Sequence, residues 1–176
     1  MLETFRSTQQ GKNCILRLDA NGALMPDEAL SMIKDLAKFN IHSIEQPIMP
    51  GRHDEMAKIC KESKIKIALD EELIGANSTK DIEFLLSEIK PHFIVLKPTL
   101  LGGVANSLNW IKTAHKYGID WWITSALESN IGLNIIAQWT GTLGVKLHQG
   151  LGTGKLFKNN FSEKSSIADG QLYYIG

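Results

Sequence analysis

The sequence predicts an α/β fold of the barrel type, an incomplete TIM-type (β/α) barrel of about six parallel strands. Three observations predict it. Short apolar runs alternate with longer segments of helical period, four successive runs end in an ionisable residue, and those residues, Asp19, Glu45, Asp70 and Lys97, stand 26, 25 and 27 positions apart, about one strand-helix unit each. A charge closing an apolar run sits where the strand leaves the sheet at its carboxyl end, the face on which barrel active sites lie. In an open doubly wound sheet the strand order breaks at a switch point, which would separate some of these ends. The regular series favours the barrel.

The elements follow in order. Residues 14–19 (CILRLD) read as a strand, and Pro26 opens a helix whose apolar positions Ala29, Met32, Ile33, Leu36 and Ala37 recur at three- and four-residue spacing until it fades near Asn40. A strand over 42–45, a helix over 53–61 and a strand over 65–70 (IKIALD) come next, then a helix over 79–89 capped by Ser78 or Thr79. The pattern continues with a strand over 93–97 (FIVLK), a helix over 104–117 closed by Gly118, a strand over 120–124 (DWWIT), a helix over 131–139 and a last strand over 145–148. Residues 155–176 lack a strong period and are expected to make short covering strands. The segment before residue 14 reads as the remnant of a helix. We expect one barrel domain over 1–176, truncated at its N-terminus, without the first barrel strands or an N-terminal capping domain.

The chain has 176 residues, 43% of them hydrophobic and 22% charged, enough for a sizeable core. Lys plus Arg and Asp plus Glu each number 19, so no excess charge attracts nucleic acid or an anionic membrane, and neither is an expected partner. Cys14 and Cys60 both lie in apolar segments and read as buried, reduced thiols. No stretch reaches the roughly 18 uninterrupted apolar residues of a membrane span. A cytoplasmic location is expected.

Three carboxylates on neighbouring strand ends repel one another unless something positive lies between them. Mg²⁺, with Mn²⁺ as a substitute, prefers oxygen ligands and leaves positions open for a substrate carboxylate, so Asp19, Glu45 and Asp70 form a candidate metal site. No cluster of His and Cys favours zinc. The competing reading is that these are ordinary strand-end or cap acids. Lys97, just before Pro98, should project into the same mouth, where it could move a proton, balance an anionic intermediate, or simply pair with Asp70.

Weaker candidates lie downstream. The Gly150–Gly154 run (GLGTG) could bring backbone amides to a ligand, with Gly150 and Gly152 as substrate contacts, or be a tight turn. Ser125 and Glu128 could touch substrate or cap the next helix. Trp121 and Trp122 must point to opposite faces. His148 could line the mouth but reads better as a core histidine, and His42, His53, His92 and His115 show no metal-ligand spacing.

The segments LRLDANGA, SIEQPI, ALDEEL and VLKPTLLGG around Asp19, Glu45, Asp70 and Lys97 resemble the enolase superfamily, muconate-lactonizing subgroup. Within it, SALESNIGLN and HQGLGTGKLF are most similar to the o-succinylbenzoate synthase family of menaquinone biosynthesis. The resemblance covers nearly the whole chain beyond residue 14. It implies Mg²⁺ on Asp19, Glu45 and Asp70, and a small-molecule carboxylate substrate. In that family 2-succinyl-6-hydroxy-2,4-cyclohexadiene-1-carboxylate loses water through an enediolate intermediate. Lys97 corresponds to the lysine that faces the intermediate and stabilises it. The base belongs to a Lys-x-Lys motif one strand before Asp19, and here the sole Lys-x-Lys, Lys64-Ile-Lys66, begins the Asp70 strand at the opposite end. The chain alone is therefore expected to be inactive, with open barrel edges through which it could associate. Two other functions stay open, an amino-acid or dipeptide epimerase of the same subgroup and a catalytically silent metal-binding fragment.

Overall fold

A computed structural model describes residues 1–153, 157–162 and 165–174. Five strands, β1 (Leu16–Asp19), β2 (Ile41–Glu45), β3 (Lys66–Leu69), β4 (Phe93–Leu96) and β5 (Asp120–Ile123), pair in parallel and in chain order. That order excludes a switch point. The strands curl into a half-barrel with helices on the convex side. In register, Asp19 lies opposite Glu45 and Glu45 opposite Ala68.

The helices form where the apolar period placed them. Short helices α1 (Leu2–Ser7) and α2 (Gln9–Asn13) precede β1; α3 (Pro26–Leu36), α4 (His53–Glu62), α5 (Thr79–Ile89), α6 (Val104–Lys116) and α7 (Asn130–Gly141) follow successive strands. In α3, Pro26 starts the first turn beside Asp27 and Glu28, Ala29 and Ile33 are buried, and a short 3₁₀ turn ends at Asn40 with φ of 50°. Helix α5 opens on a capping box: the Ser78 hydroxyl accepts from the Asp81 N–H at 3.2 Å while the Asp81 carboxylate accepts from the Ser78 N–H at 3.1 Å.

Strand alternation splits the side chains between two faces. Leu16, Leu18, Ile44, Ile67, Leu69, Ile94, Leu96, Trp121 and Ile123 join the main core under the helices. Ala68, Phe93, Val95 and Trp122 form a second, inner cluster, on which Leu147 packs. Arg17 lies 4.0 Å over the Trp122 ring and Lys66 5.3 Å over Phe93, which also stacks on His42 at 5.0 Å. The adjacent tryptophans thus serve opposite faces, as alternation requires.

Three expectations are corrected. No strand forms over 145–148; Gly150 alone bridges to Thr124, and the Ile123 N–H, which a sixth strand's carbonyl would accept, donates to the Gln149 side-chain Oε1 at 2.7 Å. Cys14 is exposed, because α2 ends there and β1 begins only at Leu16, whereas Cys60 is buried. His148 is exposed rather than in the core, and its carbonyl accepts from Arg17 Nη1 at 3.0 Å. The tail adds an antiparallel hairpin, β6 (Ser165–Ala168) and β7 (Gln171–Tyr174), while Gly154 and Lys155 lie outside the described residues. Among the described residues, no helix is long and apolar enough to cross a membrane.

Candidate functional site: an acidic mouth facing a lysine

The mouth is built by strands that end together. Asp19 closes β1 and Glu45 closes β2 as its register partner, Asp70 follows β3, and Lys97 follows β4. Alternation sends all four to the concave side, one layer above Ala68 and Val95. Asp19 is exposed, and its Oδ1 accepts from the Asn21 N–H at 2.8 Å. Asp70 is only 3% exposed and forms a close ion pair with the Lys97 ammonium.

Electrostatics tie these groups into one unit. Burial, then the Asp19 charge and a hydrogen bond with Asp70, push the Glu45 carboxyl up to about 8. Burial works against the Lys97 ammonium, but the Asp70 hydrogen bond and charge, followed by Glu45 and Glu71, outweigh it and raise its pKa. Glu71 is also raised, first by burial, and its Oε2 is buried without a hydrogen-bond partner. The mouth therefore carries more acid than one lysine neutralises. Among the described residues no three His, Cys, Asp or Glu side chains converge in ligating geometry; Asp19 turns to its own loop and Asp70 to Lys97. The donor set itself suits a hard divalent cation, being oxygen only and short of positive charge.

The downstream candidates cluster at the end of β5. Ser125 is 5% exposed; its N–H donates to the Gly150 carbonyl at 3.3 Å, and its hydroxyl pairs closely with Thr153. A Cβ on Gly150 would fall 2.5 Å from Thr124 Oγ1, so only glycine allows this approach. Gly152, exposed, lies on the wall of a cavity of about 450 Å³ between α7 and the tail hairpin. Glu128 folds back to accept from the Ala126 N–H at 2.9 Å and closely from the Thr99 hydroxyl, so its carboxylate is used locally. Lys66 begins β3 at the far end from Asp70.

Sequence reasoning missed Glu71, Gln46 and Glu72. Asp-Glu-Glu after a strand reads as a solvated turn, yet Glu72 is 6% exposed and Gln46 fully buried. Period-based reading carries no signal for such residues, since a turn after β2 and a single 3₁₀ turn over Glu71–Leu73 are too short to show a period.

The chain as a whole is similar to known proteins in sequence and in fold. The family described as "Enolase C-terminal domain-like" matches residues 3–174. An o-succinylbenzoate synthase from Desulfotalea psychrophila is 45% identical over 172 residues, 98% of this chain and 46% of that protein. The crystal structure of MenC from Desulfotalea psychrophila LSv54 superposes with a TM-score of 0.93 at 45% identity, covering 97% of this chain and 48% of that one. The muconate lactonizing enzyme from Pseudomonas putida shares the fold, with a TM-score of 0.82 at 22% identity, covering 98% of this chain and 47% of that one. The chain spans about half the length of these relatives.

Proposed function

The chain belongs to the enolase C-terminal domain-like family, and from that premise we propose that it supplies the cation-binding and anion-stabilising side of an o-succinylbenzoate synthase. Asp19, Glu45 and Asp70 would hold Mg²⁺ or Mn²⁺. The cation would supply Lewis-acid polarisation of the substrate's carboxylate, which makes the adjacent C–H acidic enough to lose a proton. What supports this reading is the row of three carboxylates on consecutive parallel strand ends, facing one lysine, in a chain 45% identical to a protein of that name.

The residues divide the work by charge. Lys97 is held protonated by Asp70, Glu45 and Glu71, so it suits the task of balancing negative charge that develops on substrate oxygens rather than that of removing a proton. The half-barrel wall beneath, with Ala68, Val95 and Trp122, keeps the floor of the mouth dry and strengthens that interaction. Ser125 and the Gly150 to Gly152 backbone stand at the neighbouring strand end, where they would contact the far part of the substrate. Dehydration removes a proton and a hydroxyl from neighbouring ring carbons, giving the aromatic product and water. Residues 1–176 hold no Lys-x-Lys on the side opposite Lys97, so by themselves they would bind without turnover.

Reconstitution tests the proposal. Residues 1–176 alone, with Mg²⁺, should show no dehydration; joined to the N-terminal half of the Desulfotalea relative, they should produce o-succinylbenzoate. Lys97→Met in the joined protein should abolish most of it. Robust turnover by residues 1–176 alone, or dipeptide epimerisation without dehydration in the joined protein, would replace this reading.

A further inference from the structure

The strand ends of the mouth are held by a side chain that the chemistry above does not use. Gln46 directly follows Glu45, is 0% exposed, and takes a φ of 36°, in the left-handed region that non-glycine residues seldom enter. The turn carries its side chain across to the end of β3. There Oε1 accepts from the backbone N–H groups of Asp70 at 3.1 Å and Glu72 at 3.2 Å, while Nε2 donates to the Ile48 carbonyl at 3.0 Å and to Glu72 Oε2 at 3.0 Å. Two donors on one side and two acceptors on the other fix the amide's orientation and use its full capacity.

The network extends outward and backward. Glu72 Oε1 accepts from the Gly51 N–H at 2.7 Å and pairs with His53 Nε2 at 3.1 Å. The Gln46 backbone N–H donates to the Ala68 carbonyl at 2.9 Å, and its carbonyl accepts from the Gly22 N–H at 2.7 Å. One residue thus joins the loop after β1, the end of β2 and the end of β3. Its Cα is next to that of Glu45, and its amide oxygen holds the N–H of Asp70, so any shift of Gln46 moves both carboxylates. Like charges placed side by side tend to spread, and a buried, saturated amide is what resists it.

We propose that Gln46 is a positioning residue: with Glu72 it fixes how far the Glu45 and Asp70 carboxylates stand apart, and thereby sets the affinity of the mouth for a divalent cation. The inference rests on the reading of the mouth as a cation site and adds the residues that tune it.

The test is calorimetric titration of the chain with Mn²⁺, at a temperature where circular dichroism shows each variant folded. Gln46→Met keeps the length of the side chain and removes the amide; affinity should fall about 10–100-fold, as when the outer partners of metal ligands are lost. The double variant Gln46→Glu/Glu72→Gln exchanges donor and acceptor between the two side chains, giving up the bond to Ile48 and the Glu72 charge beside His53, and should recover a measurable part of the affinity that Gln46→Met loses. Should Gln46→Met not fold, Glu72→Gln alone, which sets amide against amide, is expected to weaken binding about tenfold. Unchanged affinity in a folded Gln46→Met or Glu72→Gln chain, with only a lower melting temperature, overturns the proposal and leaves Gln46 a purely structural residue. Asp70→Asn serves as the control: if it binds Mn²⁺ as the unaltered chain does, the cation reading itself fails, whatever Gln46 does.

Discussion

The two faces of the same five strands are made of opposite chemistry. The convex face carries Ile44, Ile67, Leu69, Ile94 and Leu96, all at most 2% exposed, beneath the helices. On the concave face, the layers run from His42, Lys66 and Phe93 through Arg17, Ala68, Val95 and Trp122 to the acids and Lys97 at the mouth. One face gains stability by removing apolar surface from water. The other spends some of it, keeping carboxylates close enough that Glu45 is pushed up to about 8 by burial and by its neighbours. Alternation at period two thus lets a single strand serve core and site at once, with neighbouring residues assigned to opposite faces.

That separation can be broken experimentally. The largest effect is expected at the mouth: Asp70→Asn should weaken Mn²⁺ binding by more than the 10–100-fold typical of an outer partner, with the fold retained, as read by calorimetry beside circular dichroism. Next comes Leu69→Ala, one residue away on the convex face and 0% exposed; it should cost about 2–5 kcal/mol in urea unfolding and leave the cation affinity of folded chains unchanged. If Leu69→Ala alters affinity as strongly as Asp70→Asn, the two faces are coupled and the division fails.

Smaller effects probe the middle and lower layers. Arg17 sits over Trp122 and donates to the His148 carbonyl, tying β1 to the segment before Gly150. Arg17→Met should cost about 0.5–2 kcal/mol and speed hydrogen exchange at the Gly150 amide, which donates to the Ile123 carbonyl at 2.8 Å. At the far end, the Ile67 N–H donates to His92 Nδ1 at 3.2 Å, and burial followed by the Lys66 charge lowers the His92 pKa. A histidine whose folded pKa lies below its unfolded value of about 6.5 binds fewer protons when folded. Its contribution is full above that pH and is lost as pH falls through the folded value. Melting temperature should therefore drop with acidification below about 6.5, and His92→Asn, whose amide oxygen can still accept from Ile67, should flatten part of that slope without moving cation affinity.

Helix periods, capping and strand ends were legible because each rests on neighbours in the chain. The apolar positions of α3 and α5, the Ser78 cap and the series Asp19, Glu45, Asp70 and Lys97 follow from spacings that local geometry enforces. The expected strand over 145–148 failed for the converse reason. A strand exists only if its partner's groups are free, and Gln149 takes the Ile123 N–H with its side chain instead.

The sequence by itself determined the order and type of the elements through β5 and the placement of the acids and the lysine at one end of the sheet, since residue period and chain order suffice for both. Tertiary structure alone decided that Lys97 lies against Asp70 and that burial and its neighbours push the Glu45 carboxyl up to about 8. It also decided that Gln46, in the turn after β2, and Glu72, in a 3₁₀ turn after β3, are buried where three strand ends meet. Those outcomes depend on distances between residues more than 20 positions apart in the chain, and they are set only when the parallel register brings the strand ends side by side.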